Sequence, residues 1–150
     1  MKEKREKKWK LMYQRKNKVS RAKQLGFVYP VRVDKRETTQ ELNLLFVCSQ
    51  NKWRSPTAEK IYGSKPLINA RSAGTCLNAR HLISSPDIKW ADIIFVMEEK
   101  HRTKILSAFP SDTRFKEIVV LGIEDAYKYM DDDLVVRISS AVDAYLKSKE

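Results

Sequence analysis

Asn43–Tyr62 reads NLLFVCSQNKWRSPTAEKIY. Leu44-Leu45-Phe46-Val47 is a short apolar run of the kind that forms a buried strand. Ser55-Pro56 is a helix start, with serine as N-cap and proline at the first helical position, so Thr57–Tyr62 is expected to be helical. Between them lies Cys48-Ser49-Gln50-Asn51-Lys52-Trp53-Arg54, a cysteine and an arginine on the loop from strand end to helix start. Such a loop turns several backbone N–H groups inward, and the helix dipole adds partial positive charge; together they cradle a dianionic phosphate. Arg54 closes the cradle, because a guanidinium grips two phosphate oxygens in a fork. Cys48, at the floor, is placed as a nucleophile whose thiolate is favoured by the same positive field.

The pattern beyond this stretch alternates strand and helix. Asn43–Val47 is the first strand and Pro56–Tyr62 the first helix, with a turn at Gly63-Ser64-Lys65-Pro66. Strands are expected at Ile68–Ser72, Asp92–Met97 and Glu117–Leu121. Leu77–Lys89 is polar, holds Pro86, and reads as loop with room for a short helix. Glu98–Phe109 is a helix stopped by Pro110. Asp131–Lys147 is the last helix, with Val135, Ile138, Val142 and Tyr145/Leu146 as its core-facing stripe. Alternation of this kind implies a four-stranded parallel sheet with right-handed crossovers and flanking helices, an α/β fold. Functional loops then gather at the carboxyl ends of the strands. Cys48, Thr75, Met97 and Asp125 all lie at or just beyond such ends.

The chain of 150 residues is long enough for one domain with a real core, and no apolar run approaches the length of a membrane span. The N-terminus is too charged for a secretory signal, so a cytoplasmic protein is expected. Two cysteines supply neither a disulfide framework nor a metal site, and His81 and His101, in polar surroundings, read as surface residues. Residues 1–40 hold 14 Lys/Arg against 4 Asp/Glu, and residues 41–150 hold 16 against 15, so +10 of the net +11 belongs to the first segment. This segment, 1–40, reads as a basic extension, disordered or partly helical, preceding an α/β domain at 41–150. Trp9, Met12 and Tyr13 have helical spacing that is not sustained, and Gly26–Arg36 holds a β-prone run broken by Pro30, an edge strand or a linker. Its charge suits nucleic acid or an anionic membrane face, but a solvated tail without a specific partner is the plainer reading of it.

CxxNxxRSPTAE after an apolar strand resembles the phosphate loop of the low-molecular-weight protein tyrosine phosphatases. Three further pieces fall in that family's order: Ser72-Ala73-Gly74-Thr75 resembles its SAGT strand end, Asp92–Met97 its third strand, and Asp125-Ala126-Tyr127 its late Asp-Pro-Tyr acid loop. The resemblance runs from about Leu42 to Tyr145. It implies a flavodoxin-like phosphatase fold, a phosphate-binding loop of Ser49, Gln50, Asn51, Lys52, Trp53 and Arg54, and bracing of that loop by Asn51, Ser55 and Ser72. It also implies a serine hydroxyl beside the cysteine that stabilises the thiolate. Ser55 is open to this role and to that of plain N-cap. The family usually has glycine where this chain has Gln50, and often a second cysteine where it has Trp53. The latter change removes a neighbouring thiol that can protect the nucleophile and leaves Trp53 to line the pocket mouth. The connections on either side of the second strand are short for the family, as in a compact, bacterial-type branch.

A cysteinyl-phosphate route needs an acid for the leaving oxygen. Asp125 follows the fourth strand on the side where the other candidates gather and matches the resembled acid loop; Glu124 and Asp131-Asp132-Asp133 are the competitors, the triplet being well placed to start a helix. Tyr127 and Tyr129 are candidates for an aromatic wall or for core packing. The expected activity is therefore a cysteine-dependent phosphatase, with Cys48, Arg54 and Asp125 catalytic, acting on a phosphorylated protein or a small aryl phosphate and needing no metal or cofactor. Two alternatives stand beside it. One is arsenate reduction on the same loop, for which Cys76 is the remaining thiol. The other is a nucleic-acid-associated protein whose arm binds and whose loop is vestigial.

Overall fold

A computed structural model describes residues 41–149. The basic extension, the Trp9–Met12–Tyr13 spacing, the Gly26–Arg36 run and any partner of the arm lie outside the described residues.

Four strands, β1 (Leu42–Cys48), β2 (Ile68–Gly74), β3 (Ile93–Val96) and β4 (Glu117–Val120), pair in parallel in the order β2-β1-β3-β4. This is the expected sheet, with β1 at its centre. Among the described residues five helices connect and flank it: α1 (Arg54–Gly63), α2 (Ser85–Trp90), α3 (Glu99–Ala108), α4 (Pro110–Thr113) and α5 (Asp132–Ser148).

The period-two geometry of β1 divides its apolar run between two cores. Leu42, Leu44, Phe46 and Cys48 face one side, where they meet Phe95 of β3, Tyr62 of α1 and the α5 stripe. Leu45 and Val47 face the other, against Ile88 of α2 and Ile105 of α3. Phe46 is the hub of the first core, its ring centroid 5.5 Å from both Tyr62 and Phe95. Truncating such a fully buried ring to alanine costs about 3–5 kcal/mol. Because Cys48 is in register with this core, packing of the strand fixes where its sulfur points.

The helices depart from the sequence reading in instructive ways. α1 begins at Arg54, with Trp53 as an N-cap that makes no side-chain cap bond. Ser55 is not the cap: it lies inside the first turn, buried, its hydroxyl directed at Cys48. The α5 stripe is Leu134, Ile138, Val142 and Leu146, a strict i, i+4 row, and Val135 is only half-buried. Asp131 caps this helix by accepting from the amides of Asp133 at 2.9 Å and Leu134 at 3.4 Å, which starts the row one residue earlier. Pro110 does more than stop α3, since it opens the short helix α4. The polar stretch after β2 does hold a short helix, α2, closed by a Ser84–Asp87 capping box.

Candidate active site

Cys48 ends the central strand, flanked by β2 and β3, so the loop after it opens at the carboxyl edge of the sheet. The carbonyls of Cys48, Ser49, Gln50, Asn51 and Trp53 each accept a hydrogen bond. Thr75 N donates to Cys48 O at 3.0 Å, Cys76 N to Ser49 O at 3.0 Å, and Arg80 N to Gln50 O at 3.0 Å. Arg80 Nε adds a bond to Asn51 O at 3.0 Å, and Thr57 N donates to Trp53 O at 3.1 Å. The amides of residues 49–53, by contrast, have no acceptor among the described residues. That is a nest for an anion.

Two backbone features permit this shape. Asn51 takes the left-handed conformation, φ 56°, which asparagine tolerates better than most residues. Gln50 does not, so glycine's freedom is not required there. Glycine is required across the strap: a Cβ on Gly74 would sit 2.6 Å from Ser49 O and 2.6 Å from Ala79 Cβ.

The side chains form a directed network. Asn51 Nδ2 donates to Ser55 Oγ and to Ser72 Oγ, each at 2.9 Å. Ser72 donates onward to the Glu59 carboxylate. Ser55 Oγ lies 3.0 Å from Cys48 Sγ and 3.3 Å from Ala73 O. The Ser55 hydroxyl, which accepts from Asn51, donates to Ala73 O; in its pair with a Cys48 thiol either atom has a proton to give, whereas opposite a Cys48 thiolate only Ser55 can be the donor.

Arg54 is 2% exposed. Its Nη1 donates to Glu98 Oε1 at 2.6 Å and to Ile123 O at 2.8 Å, so the guanidinium is pinned from behind and holds the start of the loop after β4. Its Nε lies 3.7 Å from Asp125 Oδ1 on the open side. Burial pushes the Glu98 carboxyl up, but the hydrogen bond and charge of Arg54 outweigh it and hold Glu98 below the usual carboxylate range.

His101 corrects the sequence reading, since it is fully buried and not a surface residue. Its Nδ1 accepts from Glu98 N at 3.0 Å, so the ring proton is on Nε2, which donates to Ser49 Oγ at 2.8 Å. Burial, then the charge of Arg54, lowers its pKa to about 4, so the ring is neutral near pH 7. His81 is exposed as expected, with Nε2 2.9 Å from Asp87 Oδ2.

Cys48, Gln50, Lys52, Trp53, Arg54, Asn78 and Asp125 line one cleft of about 270 Å³. The tyrosines are elsewhere. Tyr127 is half-buried against the first core and its hydroxyl accepts from Arg137 at 3.2 Å. Tyr129 lines a separate groove with Pro56, Glu59, Lys60 and Arg80. The aromatic wall of the cleft is therefore Trp53, with Lys52 Nζ 5.1 Å over its ring. Cys76 is half-buried beside the loop and does not line the cleft. Glu98, Asn78 and Arg80 have no site role in the sequence reading and His101 is read there as surface; a Glu-x-x-His at a helix start after a buried strand is the only trace of the Glu98–His101 pair. Among the described residues no group of His, Cys, Asp and Glu could hold a metal ion, and no helix is long and apolar enough to cross a membrane.

No protein-family model and no curated protein matches the chain. Solved structures do. The chain is similar to Wzb of Vibrio vulnificus in complex with benzylphosphonate, at TM-score 0.59 and 21% identity over 72% of this chain and 99% of that one. It is similar to the YwlE arginine phosphatase of Geobacillus stearothermophilus, at TM-score 0.55 and 19% identity over 72% and 94%. A low-molecular-weight protein tyrosine phosphatase from T. tengcongensis matches at TM-score 0.54 and 22% identity over 73% and 97%. The fold is thus that of the low-molecular-weight protein tyrosine phosphatases.

Proposed function

We propose that the protein is a cysteine-dependent phosphomonoesterase acting on phosphotyrosine or small aryl phosphates. The observation that carries this reading is the Cys48 sulfur, 3.0 Å from the Ser55 hydroxyl, on the floor of the cleft that Arg54 and Asp125 also line. The Cys48 thiolate attacks phosphorus, and the bond to the leaving oxygen breaks as Asp125 gives that oxygen its proton. The loop amides and the Nε edge of Arg54 stabilise the equatorial oxygens. Asp125, now ionised, takes a proton from water as the water oxygen attacks phosphorus; inorganic phosphate leaves and the thiolate returns.

Names among the similar structures include both tyrosine and arginine phosphatases. The indole of Trp53 and the cation of Lys52 at the mouth favour an aryl ester over a phosphoryl group carried on a positively charged guanidinium. The reading of a vestigial loop rested on Gln50 and on the basic arm; the backbone at Gln50 makes no demand for glycine, and the arm lies outside the described residues. The test is acid quenching during turnover of para-nitrophenyl phosphate, followed by peptide mass mapping. The peptide containing Cys48 should carry one added phosphoryl group. Steady turnover with the group on another residue, or on none, would contradict the mechanism.

A further inference from the structure

The charges around the cleft do not balance in the way its anion nest suggests. Arg54 is matched by Glu98 at 2.6 Å and by Asp125 at 3.7 Å, so these three side chains sum to one negative charge when both carboxylates are ionised. Lys52 is the remaining charged side chain of the lining. It is exposed, and no carboxylate among the described residues lies within ion-pair distance of it. Its ammonium stands 5.1 Å from the centroid of the Trp53 ring, and Trp53 is 36% exposed at the mouth. A cation held over an indole keeps a defined position while its solvent side stays open to an anion.

From this arrangement we infer that Lys52 is a specificity-determining residue that selects phosphotyrosine sites flanked by acidic side chains. The inference rests on the phosphatase reading above and adds a substrate class to it. The phosphoryl group enters the nest and its aryl ring lies along Trp53. The residues next to the phosphotyrosine then pass Lys52, where a carboxylate is attracted, an amide is indifferent and a second cation is repelled.

The test uses the full chain as wild type, Lys52→Met and Lys52→Glu. Three phosphotyrosine peptides differ only in having Asp, Asn or Lys on both sides of the phosphotyrosine. The readout is the ratio of kcat/KM between peptides within each protein. The basic arm is common to all three proteins, so its contribution cancels when the ratios are compared. An exposed pair of this kind is worth about threefold in rate or affinity. Lys52→Met should lower the Asp-over-Asn preference about threefold, and Lys52→Glu about tenfold, with the differences fading at high salt. Identical ratios in all three proteins would overturn the inference. Para-nitrophenyl phosphate, which has no flanking residue, separates the two claims: no turnover by wild type contradicts the phosphatase reading, whereas turnover with Lys52-independent ratios contradicts this inference alone. If turnover is absent, dissociation constants of the same peptides for each protein give the same ratios and decide the matter.

Discussion

Asn51 gives both of its amide hydrogens to serine oxygens, and one of those serines, Ser55, sits 3.0 Å from the Cys48 sulfur. Once Cys48 is ionised its sulfur can only accept, and the Ser55 proton, within reach of both the sulfur and Ala73 O, is the donor beside it. A hydrogen bond to a charged group is worth about 1.5–3 kcal/mol. Ser55→Ala should therefore lower kcat about 10- to 100-fold with little change in KM, and slow alkylation of Cys48 by iodoacetamide near neutral pH. Unchanged alkylation would assign Ser55 to packing of the helix turn.

Asp125 stands 3.7 Å from Arg54 with its carboxylate side chain 57% exposed on the open side of the cleft. Asp125→Asn should slow hydrolysis of phenyl phosphate far more than that of para-nitrophenyl phosphate, whose leaving group barely needs a proton. Equal slowing of both esters would give Asp125 a structural part. A normal rate would shift the acid to the exposed Glu124 or to the Asp131–Asp133 cluster.

Gly74 is the point where β2 and its strap close on the phosphate loop, with room for no Cβ beside Ser49 O and Asn51 N. Both atoms are backbone, so relief requires the loop itself to move. Gly74→Ala should cost on the order of 2 kcal/mol or more in urea unfolding and reduce turnover at least tenfold. A variant with wild-type stability and turnover would show that the strap yields without disturbing the loop.

His101 couples the site to pH. Its folded value of about 4 lies below the ordinary 6.5. The unfolded chain thus binds the extra proton between those values, and stability is fully present above 6.5 and lost as pH falls through 4. The loss from this one ring is up to about 3 kcal/mol. His101→Gln, though less stable at pH 7, should lose less stability than wild type between pH 7 and pH 4 in paired thermal unfolding. Parallel losses would place the acid sensitivity on other groups.

The parts of the fold that were legible were those written locally. The Leu44–Val47 run, the loop spacing after it and the apolar β3 are each set by neighbours in sequence, and the parallel sheet followed from their alternation. What escaped depended on distant pairing. His101 reads as polar surface beside Glu98 and Lys100, and only the packing of the α3 start against the loop buries it. Ser55-Pro56 looks like a cap because capping is a local rule, whereas Ser55 is drawn inward by Cys48 and Asn51. Arg80 sits in a stretch without periodicity, and its clamp on Gln50 and Asn51 exists only once β2 lies beside β1. Tyr127 and Tyr129 follow the acid in sequence but do not line the cleft: Tyr127 packs against the first core and Tyr129 lines the groove beside α1.

The central claim is that the Cys48 sulfur carries the phosphoryl group, and the most direct measurement compares wild type with Cys48→Ser on para-nitrophenyl phosphate. Serine preserves the size and the contact with Ser55 but is a far weaker nucleophile at neutral pH. The account predicts steady turnover by wild type, a fall of about 10³-fold or more in the variant, and vanadate or phosphate still bound by the variant's loop amides and Arg54. Turnover by Cys48→Ser at the wild-type rate would contradict it.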